Sequence, residues 1–219
     1  MVIQLFGHPF SSYTWKALIA FHENDTPFDF RMLDPEHLEN GAELARRWPV
    51  AKFPLLVDGE TTVFEATSII EYLDTVCPGA VRFIPDDGRA ALAVRQLDRV
   101  FDNYVMGGVQ AIVNEALLPE ERRDPERVVT AKQGLDTIYA WLDGSLAEPE
   151  WATDGGFTLA DCAAAPSLFY GDWAHPIDAR HANLKAYRAR LLARPSVVRC
   201  VEAARPYRQF FPLGAPDRD

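Results

Sequence analysis

Three hydroxyl side chains in succession, Ser11, Ser12 and Tyr13, stand between the turn-forming Gly7-His8-Pro9 and an apolar stretch of helical spacing. Taken alone, serines in that setting are helix N-caps that accept a backbone N–H. Glu65-Ala66 marks a change from strand-like to helix-like sequence. The first amides of a helix lack internal partners and can hold a carboxylate, helped by the dipole; Glu65 by itself could instead only complement that dipole, worth about 0.3–1 kcal/mol. Lys52, just before Phe53-Pro54, is a further carboxylate partner or a solvated charge. The other reactive residue types form no constellation. His8, His22, His37, His175 and His181 are scattered, with no serine or carboxylate in a triad arrangement. Cys77, Cys162 and Cys200 are odd in number and lack any Cys-x-x-Cys pair, so neither a disulfide framework nor a metal site is expected.

The composition narrows the partners. A formal charge of −10 repels a phosphate backbone, which argues against nucleic acid and against an anionic membrane, so any anionic ligand must be held by local donors. No apolar run approaches the roughly 20 residues of a membrane span, and Met1-Val2-Ile3-Gln4-Leu5 lacks a basic segment followed by a cleavage site. A cytoplasmic location is the expectation. With 48% hydrophobic and 25% charged residues and no repeat, 219 residues fit two compact domains or one large one.

The elements that must position these residues follow from periodicity. Residues 2–6 read as a strand and the next stretch as a helix with Trp15, Leu18, Ile19 and His22 on one face. Pro27 to Leu33 alternates as a second strand, and a loop with a short helix extends to Arg47. Leu55-Val57 and Thr61-Phe64, joined through Asp58-Gly59-Glu60, read as a hairpin, and a helix spans about Ala66 to Val76. Turn formers crowd the segment from Cys77 to Arg89, which places a first domain at 1–77, a linker at 78–89 and a second domain at 90–219. That second domain should be all helical, with one buried stripe of Leu97, Val100, Phe101, Tyr104 and Val105 and another of Leu135, Ile138, Tyr139, Leu142 and Leu146. Thr158 with Asp161 reads as a capping box, and Pro166 interrupts the donor pattern of the helix that follows.

This βαβ-ββα half followed by a helical half resembles the cytosolic glutathione S-transferases, an α/β thioredoxin-like domain joined to an all-α one. Three stretches carry the likeness. Ser11 to Ala20 is similar to the first-helix signature of the serine-type classes, the zeta class in particular. Lys52 to Gly59, leading into Phe64 to Leu73, resembles the glutathione-site segment, and the capping box at Thr158 stands where the family has one.

The resemblance implies roles for these positions. Ser11 matches the hydroxyl that activates the glutathione thiol in serine-type members, with Ser12 and then Tyr13 as neighbours able to take that role. Phe6 and Gly7 stand where tyrosine-type members carry their tyrosine, so that mechanism is not available. Phe53-Pro54 matches a cis peptide that turns the backbone of Phe53 toward the cysteinyl part of glutathione, with Ser12 and Lys52 beside it. Glu65-Ala66 matches the Glu-Ser pair that binds the γ-glutamyl end, with Ala66 lacking the family's hydroxyl. Tyr13, Tyr104, Met106, Tyr170 and Trp173 are candidates for the second-substrate pocket, though aromatic residues at helical spacing also make plain core. The implied function is conjugation of glutathione, as co-substrate and without a metal, to a small hydrophobic electrophile by a homodimer. Alternatives are a zeta-type glutathione-dependent cis-trans isomerase and a non-catalytic binder of hydrophobic ligands.

Overall fold

The computed structural model describes residues 2–219. Strand β1 (Ile3–Gly7) leads into helix α1 (Ser12–Glu23), then β2 (Phe28–Met32), α2 (Leu38–Arg47), the hairpin β3 (Leu55–Asp58) and β4 (Thr61–Phe64), and α3 (Ala66–Val76). The four strands lie in the order β2-β1-β3-β4, with β1 parallel to β2 and the hairpin antiparallel. A parallel pair needs a crossover, which α1 provides. On one face of β1, Leu5 packs with Trp15, Ile19 and Ile69 of the helices; on the other, Phe6 joins Leu44, Leu55 and Val57 in a smaller cluster.

The segment between α3 and α4 (Gly88–Val100) is pinned rather than loose. Asp74 accepts the Phe83 N–H at 2.9 Å, the Asn24 side chain pairs with Val81, and Phe83 is fully buried. Asp87 caps α4, which starts two residues before the boundary read from sequence. The helical half continues through a π-helical turn (Phe101–Met106) into α5 (Gly107–Leu117), and then α6 (Pro125–Ser145), α7 (Leu159–Ala174), α8 (Ala182–Ala193) and α9 (Pro195–Ala204). Helix α7 is buried along its length and packs directly on α1, where Trp15 meets the rings of Phe169 and Tyr170 at 4.8 and 5.4 Å. The two halves therefore share one continuous core. The capping box at the start of α7 forms, and Asp161 accepts further bonds from Ala152 N–H and Tyr187 O–H at 2.8 and 2.7 Å.

One expected stripe is wrong in detail. Phe101 and Val105 are buried, but Leu97 and Val100 are only half-buried and Tyr104 is 63% exposed. The inward face runs instead through Val94, Asp98, Phe101, Asp102 and Val105. Two causes combine. Aspartates occupy core positions that a hydrophobic pattern skips, and the π turn adds a residue per turn and shifts the face relative to a 3.6-residue period.

Candidate functional site

Two concavities meet at the start of α1. The first is a polar cleft of about 200 Å³, lined by Tyr13, Trp48, Lys52, Phe53, Pro54, Glu65, Ala66, Arg99, Asp102 and Asn103. The second is a cavity of about 490 Å³ whose walls include Phe10, Ser11, Ser12, Met106, Val109, Val113, Leu117, Tyr170, Phe210 and Phe211. Tyr13, Lys52 and Phe53 line both.

The loop that carries the hydroxyls is held from within. The ring Nδ1 of His8 accepts from Phe10 N–H at 3.1 Å, and its carbonyl accepts from Ser11 N–H at 3.0 Å. Burial lowers the His8 pKa, which keeps that ring nitrogen available as an acceptor. Ser11 is the N-cap of α1, its Oγ accepting from Thr14 N–H at 3.3 Å. A capping oxygen still has its own proton to donate, so the cap and a second bond from the same hydroxyl do not compete. Ser12 is buried against the cavity. Burial, followed by the charge of Asp102, pushes the Tyr13 phenol up to about 12, so it stays protonated at neutral pH. A tyrosine at the end of β1 has no place: a Cβ on Gly7 would meet the Thr14 side chain at 2.6 Å, and Phe6 is buried on the other face of the sheet.

At the far wall, the Phe53–Pro54 peptide is cis, and neither the N–H nor the C=O of Phe53 is paired among the described residues. An extended peptide ligand can pair with such groups as an added strand does. Glu65 adopts φ 68°, ψ 124°, a left-handed conformation that costs a non-glycine residue of order 1–3 kcal/mol and clusters at ligand-binding positions. Ala66 opens α3 next to it, and its methyl group supplies no donor.

Behind the cleft lies a charge cluster that joins the two halves. The fully buried Lys16 of α1 stands 2.5 Å from Asp98 Oδ1 and 2.6 Å from Asp102 Oδ2, and donates to Thr67 Oγ1 at 2.8 Å. Burial raises the Asp102 pKa, and Lys16 opposes that rise. Arg99 closes the cluster on the cleft side, 2.5 Å from Asp98 Oδ2 and 2.8 Å from Asp102 Oδ2.

Of the residues singled out from sequence, Lys52, Phe53, Pro54, Glu65, Ala66 and Tyr13 come together in the cleft, and Ser11, Ser12, Met106 and Tyr170 in the cavity. Tyr170 is held by its O–H to the Phe10 carbonyl at 2.9 Å. Tyr104 does not join them; it faces an outer groove between α4–α5 and α6, turned there by the π segment. Trp173 sits one layer behind the cavity, against Phe10 and Phe211. Sequence reasoning missed Arg99, Asp102 and Asn103, whose signal was a set of polar residues inside an otherwise apolar helical stripe. The tail Phe210-Phe211-Pro212-Leu213-Gly214, for which the sequence left folding over a pocket and plain packing both open, places Phe210 and Phe211 on the cavity, and Arg205 and Arg208 hold Asp219 at 2.7 and 2.9 Å. Among the described residues no group of His, Cys, Asp or Glu has a metal-binding arrangement, and no helix is long and apolar enough to cross a membrane. Burial raises the thiol pKa of both Cys162 and Cys200, which leaves them unreactive.

A thioredoxin-like domain with a cis-proline cleft, packed on a helical domain that supplies an apolar cavity, defines a recognisable class. Residues 5–80 match the N-terminal domain of glutathione S-transferase and residues 101–195 its C-terminal domain, so the chain belongs to the glutathione S-transferase family. It is 25% identical over 205 residues to glutathione S-transferase F6 of Arabidopsis thaliana, covering 89% of this chain and 96% of that protein. It is 24% identical over 216 residues to a probable maleylacetoacetate isomerase of Vibrio cholerae, covering 94% and 98%. A glutathione S-transferase of Methylobacillus flagellatus, solved with glutathione bound, superposes with a TM-score of 0.78 at 25% identity over 90% of this chain and 98% of that one.

Proposed function

We propose that this chain is a serine-type glutathione transferase that conjugates the glutathione thiolate to a small hydrophobic electrophile. The observation that carries the reading is the junction of the two concavities: a polar cleft with unpaired Phe53 backbone groups opens onto an apolar cavity at the hydroxyl-bearing loop. Glutathione lies along the cleft, and its sulfur reaches the junction beside Ser11. A free thiol of pKa about 8.5 is only a few per cent ionised at neutral pH. The Ser11 hydroxyl donates to the sulfur anion while its oxygen caps α1, and the positive end of that helix adds to the effect. Lowering the thiol pKa by two units takes roughly 2.7 kcal/mol, much of which one hydrogen bond to a charged atom supplies. The thiolate then forms a carbon–sulfur bond, and the leaving group departs with its electron pair.

The likeness to the Vibrio protein favours a second reading, glutathione-dependent isomerisation. The cavity weighs against it: maleylacetoacetate carries two carboxylates, and Lys52 is the one cationic side chain among the described cavity walls. The outer groove of about 950 Å³, whose lining includes the exposed Tyr104 and Trp141, supports a homodimer formed across α4 and α6. Light scattering should give twice 24.6 kDa; a mass near 24.6 kDa at micromolar concentration would refute the dimer. The functional reading is tested by retention on immobilised glutathione together with turnover of a chloronitrobenzene. Isomerisation of maleylacetoacetate without loss of glutathione would favour the second reading, and absence of both activities would favour a non-catalytic binder.

A further inference from the structure

On the reading above, the cleft must receive the γ-glutamyl carboxylate and ammonium of glutathione at one end and the glycyl carboxylate at the other. Its charged walls can be matched to those groups. Two cationic side chains line it, Lys52 and Arg99, together with two acidic ones, Glu65 and Asp102. Lys52 adjoins the Phe53–Pro54 end. Arg99 adjoins Glu65-Ala66, because its Nη2 donates to the hydroxyl of Thr67, the residue after Ala66. Arg99 is also fixed in place, since Nε donates to Asp98 at 2.9 Å and Nη2 to Asp98 and Asp102 at 2.5 and 2.8 Å. Its Nη1 has no partner among the described residues, and about half of the side chain is exposed. Lys16 from behind and Arg99 itself together balance the two aspartates, so the cluster presents no excess negative charge to an incoming anion.

We infer that Arg99 is the receptor for the γ-glutamyl α-carboxylate, binding it through Nη1 and supplying the side-chain donor that Ala66 lacks. Sequence position alone hides this role, since Arg99 lies in the helical domain and reaches the cleft from across the domain boundary. The inference rests on the glutathione reading of the cleft, and its test separates the two.

The experiment is calorimetric titration of two ligands: glutathione, and 4-aminobutyryl-cysteinyl-glycine, which lacks only that carboxylate. Each is titrated into the wild-type protein and the Arg99→Gln variant. The expected result is a loss of roughly tenfold or more in glutathione affinity in Arg99→Gln, with the affinity for the truncated ligand the same in both proteins within twofold. Equal losses for the two ligands, or no loss for either, would overturn the inference while leaving the glutathione reading intact. Failure of the wild-type protein to bind glutathione would instead remove the reading itself. Should Arg99→Gln unfold, Arg99→Lys decides in the same way: an ammonium taken up by Asp98 and Asp102 has no second amino group to offer, so the same ligand-selective loss is expected.

Discussion

The cleft and the cavity share Tyr13, Lys52 and Phe53, yet they are built in opposite ways. The cleft is made of charges and backbone groups held by other charges. Arg99 is fixed by two aspartates, those by a buried lysine, and Glu65 by a strained backbone. The cavity is made mostly of apolar side chains from the loop before α1, the π turn, α5, α7 and the tail, with few directional contacts among them. A polar site tolerates little displacement, because a misplaced charge loses its partner and keeps its desolvation cost. An apolar site tolerates exchange of one hydrophobic group for another of similar volume. On the proposed function, one half of the site thus fixes a single ligand and the other accepts a range.

Substitutions should follow that contrast in size. Lys16→Met removes the cation between Asp98 and Asp102, and breaking a buried pair typically costs about 3–5 kcal/mol. A urea melt should show it as a large fall in midpoint. The Asp102 pKa is already raised by burial, so protonation relieves the unpaired charge, and the penalty should shrink as the pH falls toward the ordinary aspartate range. A midpoint loss that does not depend on pH would show that packing rather than charge holds the two halves.

Ser11→Ala should lower turnover at pH 7 by at least tenfold while keeping glutathione affinity within a few-fold, and should lose less at pH 9, where the thiol ionises unaided. With its pKa pushed to about 12, Tyr13 contributes no titration over that range, and Tyr13→Phe should leave the shape of the pH profile unchanged. If Ser11→Ala is silent and Ser12→Ala is not, the activating hydroxyl lies one residue on. A smaller effect is expected in the cavity. Phe210→Ala removes an exposed ring from its rim and should raise KM for a hydrophobic acceptor several-fold with glutathione affinity unchanged. A change in glutathione affinity would mean that the two concavities are coupled through the tail. The smallest effect is expected for Ala66→Ser, where an added hydroxyl at the start of α3 should tighten glutathione binding by no more than a few-fold, since Arg99 already donates there. Weaker binding by calorimetry would overturn the assignment of that end of the cleft.

Local signals carried the thioredoxin-like half: alternation in Phe28–Met32, the Asp58-Gly59 turn, and the shift to helical period after Glu65 each depend on residues close in sequence. The capping box at Thr158 and Asp161 is legible for the same reason. Legibility failed where a charge is buried. Nothing in the local sequence around Lys16, Asp98 and Asp102 marks them as buried, and only their mutual proximity across 86 positions makes them core. It failed again at Phe101–Met106, where tertiary packing selects a π turn that no 3.6-residue pattern encodes and sends Tyr104 outward while Met106 points in. By itself the sequence determined the elements, their order and the residues of the loop, strand end and helix start that frame the cleft, because those depend on backbone propensity and short-range capping. Which helical-domain residues complete the cleft, which hydrophobic groups line the cavity and how the tail closes it were decided only by the tertiary structure, because those contacts join residues far apart in the chain and depend on the angle at which two independently patterned domains pack.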